Sequence, residues 1–118
     1  MQFRTRKLVK PEDLNPGGSL FGGQLLRWID EEAAIYAMCQ LDNQRVTTKF
    51  ISEIDFISPA RMGDVIEIGL ETTKIGVTSI TFRCEARVKQ TSKPIITIEK
   101  IVFVNLDEKL RPAPHNKG

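Results

Sequence analysis

Histidine, cysteine and long apolar runs are scarce in this chain of 118 residues, and each scarcity removes a class of function. The single histidine, His115, stands in a proline-rich C-terminal stretch. A Ser-His-Asp triad, a histidine-ligated metal and a histidine-dependent dehydratase site therefore all lack their key residue. The two cysteines, Cys39 and Cys84, lie far apart within apolar patterns that read as core, which offers neither a disulfide framework nor a zinc site. No segment approaches the roughly 18 consecutive apolar residues of a membrane span. Met1 to Lys10 carries Arg4, Arg6 and Lys7 but not the apolar run of a signal peptide. A cytoplasmic location without membrane association is expected. Charge of one sign is also missing: 17 Lys and Arg against 15 Asp and Glu leave +2. That excess is too small to favour nucleic acid as a partner, although a mildly basic surface suits an anionic ligand. No G-x-S-x-G elbow, Walker loop or G-x-G-x-x-G occurs, so phosphoryl transfer recedes as well.

What is present is the material of one α+β domain. Gln2 to Val9 reads as a short strand and Pro11 to Ser19 as a loop. Leu20 to about Gln40 is free of proline and rich in Ala, Leu, Glu and Gln, which predicts a helix of roughly five turns with Gly22 and Gly23 at its start. Beyond Asp42 the pattern turns to period two. Val46, Thr48, Phe50, Ser52, Ile54 and Phe56 share one face of a long strand. Ile66, Ile68 and Leu70 mark a second, and Ile80, Phe82, Cys84, Ala86 and Val88 a third, with a turn near Gly76 between them. Ile95 to Leu106 gives a last strand whose parity slips near Lys100, as a bulge would cause. The four β-segments after the helix are expected to run as an antiparallel meander or nearly so, with residues 1–106 as the domain and 107–118 as a flexible tail. One helix covers only one face of one sheet. Exposed Ile51, Ile57, Val102 and Val104 would then invite a second copy of the chain.

At about 100° per residue, Leu26, Ile29, Ala33, Tyr36 and Ala37 share one side of the helix and Asp30 falls on its edge, whereas Glu31 and Glu32 turn away with Arg27 and Trp28. A carboxylate facing the packed side is costly unless it is hydrogen-bonded or used, which suits a general base. It would equally suit a loop cap or a lysine partner. Asn15-Pro16-Gly17-Gly18-Ser19-Leu20-Phe21-Gly22-Gly23 leads straight into the helix, so the first free amides could face an oxygen gaining negative charge. Close packing alone would also explain the glycines, and an ordinary turn would explain Asn15.

The run from Asn15 to Asp30, NPGGSLFGGQLLRWID, resembles the signature of hotdog-fold acyl-CoA hydrolases. FISPARMGD at 56–64 and KIGVTSI at 74–80 are similar to that family's strand-turn-strand element and its Gly-x-Ser/Thr-Ser segment. The resemblance covers roughly residues 12 to 104. It implies a long helix wrapped by an antiparallel sheet, a homodimer joined edge to edge, and often three dimers in a hexamer. It further implies an acyl-CoA thioesterase in which Asp30 is general base or nucleophile, Asn15 positions water or carbonyl, and the Gly23 amide is the oxyanion donor, within a site shared between subunits. Val46, Thr47 and Thr48, with Gly76, Val77, Thr78 and Ser79, match segments that contact coenzyme A. No metal or redox cofactor is implied, coenzyme A entering as part of substrate and product. Val77 stands where some relatives place an arginine, so the phosphates would need Arg61, Lys74 or Lys93. A non-catalytic acyl-CoA-binding module is the main alternative.

Overall fold

The computed structural model describes residues 1–117. The helix-forming stretch becomes one helix, α1 (Gly22–Leu41). It begins after Phe21 and ends where Asp42 enters the left-handed region at φ 52° and its amide meets the Met38 carbonyl. The β-rich stretches become β1 (Gln2–Leu8), β2 (Val46–Ile51), β3 (Ile54–Phe56), β4 (Val65–Ile75), β5 (Ser79–Val88) and β6 (Pro94–Asn105).

All six strands form one antiparallel sheet in the order β1-β4-β5-β6-β2, with β3 also paired to β6. Only β4, β5 and β6 follow one another as a meander. The predicted 46–56 strand is split because Ser52 leaves the ladder, its Oγ accepting the Lys100 amide at 2.9 Å while its own amide donates to the Lys100 carbonyl at 2.8 Å. The predicted parity slip is present: Phe82 faces Ile101 but Cys84 faces Ile98, so β6 carries one extra residue opposite Arg83.

The core lies between α1 and the concave sheet. Phe82 is fully buried, edge-on to Tyr36 with ring centroids 5.0 Å apart and stacked on Phe103 at 5.6 Å, so it ties helix to sheet. The buried helix stripe is Leu25, Trp28, Ile29, Ala33, Ala37 and Leu41. Trp28 therefore belongs to the core, not to the side of Glu31, because the largest apolar side chains claim the sheet and rotate the stripe toward them.

Two further expectations are corrected. Cys39, some 200° around the helix from Ala37, is exposed, and only Cys84 is buried. Burial pushes the Cys84 thiol up to about 12. Native protein at neutral pH is expected to show one thiol per chain reacting with an aromatic disulfide reagent, and both after denaturation. Val104 is buried as well, inside the sheet between Ser79 and Thr47.

The outer face of the sheet holds charge where the sequence predicted plain solvent-facing positions. Glu67, 6% exposed at its side chain, accepts from Arg87 Nε at 2.7 Å, and that guanidinium lies 3.8 Å over the Phe3 ring. Arg87→Ala would leave the buried carboxylate with only a distant Arg6, at 3.9 Å. The expected cost is about 2–3 kcal/mol, read from the urea unfolding midpoint.

The predicted frayed tail is also corrected for residues 107–117, Gly118 lying outside the described residues. Asn105 Nδ2 donates to the Ala113 carbonyl at 2.8 Å, the Ala113 amide returns a bond to the Asn105 carbonyl at 2.9 Å, and His115 is buried. The segment turns back because Leu110 adopts a left-handed φ of 61° and Asp107 accepts the Lys109 and Arg111 amides.

Candidate active site

The loop before α1 is tied down by its own backbone. Asn15 donates to the Ser19 carbonyl at 2.7 Å, and its Oδ1 accepts the Ser19 amide at 3.1 Å. Gly18 completes the turn at φ 85°, a conformation natural to glycine. The Leu20 amide goes to the Ala60 carbonyl and that of Phe21 to the Asp13 carbonyl, both at 2.9 Å. Buried Asp13 receives Gln24 Nε2 at 2.9 Å, which fixes where the helix begins.

Ser19, Leu20 and Phe21 thus spend their amides inside the protein, while among the described residues those of Gly22 and Gly23 have no acceptor. A Cβ on Gly23 would meet nothing within 4 Å, so the helix start is open on that side. Asn15 and Gly22 line a cleft of about 390 Å³ walled by Phe56 and Ile57. Of the three basic candidates, Arg61 is tied to this loop, its Nη1 donating to Ser19 Oγ at 3.2 Å.

Asp30 occupies a different place. The rotated core stripe leaves it exposed in the single protomer, not facing the packed side as predicted. Thr48 Oγ1 donates to Asp30 Oδ1 at 3.0 Å, which steers the carboxylate over β2 and leaves Oδ2 free. Thr48 was named from the sequence only as a coenzyme A contact. A small hydroxyl on the inward face of the first strand after the helix was the available signal for its second role.

The two strand segments named for coenzyme A are brought to one end of the sheet. Thr48 and Ile80 both face Phe103, and Thr47 and Ser79 both face Val104, so β6 alone separates Val46–Thr48 from the Gly76–Ser79 turn. At Gly76 a Cβ would stand 2.5 Å from Ser79 Oγ, so a side chain there would force the Ser79 hydroxyl to turn away. Asp30 and Gly23 do not meet within one protomer: the seven residue steps from one to the other along α1 span about 10 Å. Phe21, Phe50, Ile51, Phe56 and Ile57, on the helix-start loop, β2 and the β3 segment, are exposed in the protomer.

Comparison with known proteins agrees with this geometry. The family model described as thioesterase superfamily matches residues 17–95. The acyl-CoA thioester hydrolase YciA of Salmonella typhimurium is 33% identical over 115 residues, covering 92% of this chain and 86% of that protein. The hexameric thioesterase of Yersinia pestis superposes with a TM-score of 0.90 at 28% identity, covering 99% of this chain and 97% of the other. An acyl-CoA hydrolase from Staphylococcus aureus, solved with butyryl coenzyme A and coenzyme A, gives 0.84 at 29% identity over 93% of this chain and 66% of that one. The chain belongs to the thioesterase superfamily, as a single helix wrapped by an antiparallel sheet in the hotdog manner. Among the described residues no helix is long and apolar enough to cross a membrane.

Proposed function

We propose that this chain hydrolyses acyl-CoA thioesters to the free acid and coenzyme A, with Asp30 as the reacting carboxylate. The carrying observation is the accessible Asp30 side chain, held through one oxygen by Thr48 with the other free. Asp30 either takes the proton of an attacking water or attacks the thioester carbonyl itself. The free Gly23 amide at the helix start stabilises the oxyanion, Asn15 orients water or carbonyl, and the coenzyme A thiolate leaves. Variants of the Staphylococcus aureus hydrolase solved with alanine for one asparagine, one aspartate and one threonine support this reading. Those three positions have the spacing of Asn15, Asp30 and Thr47.

The separation of Asp30 from Gly23 is bridged by a second copy of the chain. The free edge of β2 and the aromatic residues beside it are covered in a homodimer, so Asp30 of one protomer meets the helix start of its partner. Three such dimers form a hexamer, as in the hexameric thioesterase of Yersinia pestis. Neither a metal nor a redox cofactor is required, since the carboxylate and backbone amides supply the chemistry. A cytoplasmic location suits two unpaired cysteines and a coenzyme A substrate.

The test is release of free thiol from short- to long-chain acyl-CoAs by purified protein. Turnover of at least one chain length supports the reading. Binding of coenzyme A without turnover of any would replace it with the binding-module reading.

A further inference from the structure

The one histidine of the chain lies where its ring touches the turn named for coenzyme A. Its Nε2 donates to the Ser79 carbonyl at 2.9 Å, its backbone amide reaches the Val77 carbonyl at 3.2 Å, and its Nδ1 accepts the Lys117 amide at 3.0 Å. The Thr78 carbonyl is taken by the Asn105 amide at 2.7 Å. Three consecutive carbonyls of the turn are thereby engaged, that of Val77 by the His115 backbone and that of Ser79 by its ring beside the Gly76 amide at 2.9 Å, so the ring docks the segment whose backbone holds Val77. In a trans peptide the N–H points opposite to the C=O. Holding the Val77 carbonyl toward the C-terminal segment thus aims the Thr78 N–H outward, and among the described residues that amide has no acceptor. The anchor extends to the helix end: Asn105 Oδ1 accepts from Asn43 Nδ2 at 2.8 Å while its Nδ2 holds the Ala113 carbonyl.

We propose that His115 is a positioning residue for the coenzyme A end of the cleft. The C-terminal segment acts as a strap that fixes Gly76–Ser79 so that the Thr78 amide is presented to a phosphate or carbonyl oxygen of coenzyme A. The proposal rests on the reading of Gly76–Ser79 as a coenzyme A contact. It assigns no chemical step to the imidazole, which stays on the far side of the turn from the ligand.

The experiment compares wild type with His115→Ala, His115→Gln and His115→Phe, the last keeping ring bulk without either side-chain hydrogen bond. Calorimetry measures the Kd for coenzyme A. Thiol release gives kcat and KM for butyryl-CoA and for the butyryl thioester of N-acetylcysteamine, which lacks the nucleotide and most of the pantetheine. In the Ala and Phe variants the Kd and the KM for butyryl-CoA should rise about five- to tenfold, as expected for a lost positioning hydrogen bond. Their kcat should stay within about twofold, and the short thioester should be unaffected. Glutamine, with a donor near Nε2 and an acceptor behind it, should restore most of the affinity. An unchanged Kd in a folded Phe variant, or equal losses on both thioesters, would overturn the role of His115 while leaving the thioesterase reading intact. Wild-type protein that bound no coenzyme A would overturn both.

Discussion

Asp30→Asn is expected to lower kcat for acyl-CoA by about 10²- to 10⁴-fold, the range a positioned proton-transfer group contributes. The thermal unfolding midpoint should barely move. Asparagine is nearly isosteric and can still accept the Thr48 hydroxyl that now lies 3.0 Å from Oδ1. It cannot take a proton from water or form an anhydride with the acyl group. Because the side chain is exposed in the protomer, no buried charge is stranded by the change. The measurement is the initial rate of thiol release at saturating substrate, beside a melting curve. A variant retaining more than about a tenth of wild-type kcat would remove Asp30 from the chemistry, being inconsistent with the loss of a general base or nucleophile.

Activity should also be restored by mixing two inactive chains. Gly23→Val puts a branched side chain beside the oxyanion donor, where a Cβ meets nothing in the protomer, so the fold survives while the substrate's approach to the amide is crowded. Asp30→Asn disables the carboxylate. Each homodimer alone should show at most about 1% of wild-type turnover. If each site takes Asp30 from one protomer and Gly23 from its partner, a mixed dimer carries one site with both substitutions and one intact site. Random pairing of co-expressed chains makes half the dimers mixed, so about a quarter of wild-type activity should return. The physical basis is the separation on α1: two turns of helix hold the groups about 10 Å apart, too far to act on one thioester carbon. Sedimentation of each single variant checks that the dimer persists. Mixed dimers without recovered activity would mean that each protomer builds its own site.

Period-two and period-3.6 patterning was enough to locate β1, α1 and the β4–β5–β6 meander, and even the slip near Lys100, because apolar side chains on a regular element can reach the core only at its own period. The run from Asn15 to Asp30 identified the loop-helix element and its candidate groups for a similar reason: a tight turn, free amides and a carboxylate on one helix demand fixed spacings. Tertiary structure decided the rest. Which way α1 rolls depends on how Trp28 and Leu25 fit the concave sheet, and that roll left Asp30 and Cys39 exposed. Thr48 met Asp30, and the 46–48 and 76–79 segments came to lie on either side of β6, only through strand pairing between residues far apart in sequence. His115 looked like part of a loose tail because no local pattern reports the distant carbonyls of Val77 and Ser79 that hold it. Periodicity and turn chemistry are local properties and can be read along the chain, whereas helix roll, strand order and the docking of the C-terminal segment are settled by which distant surfaces fit together.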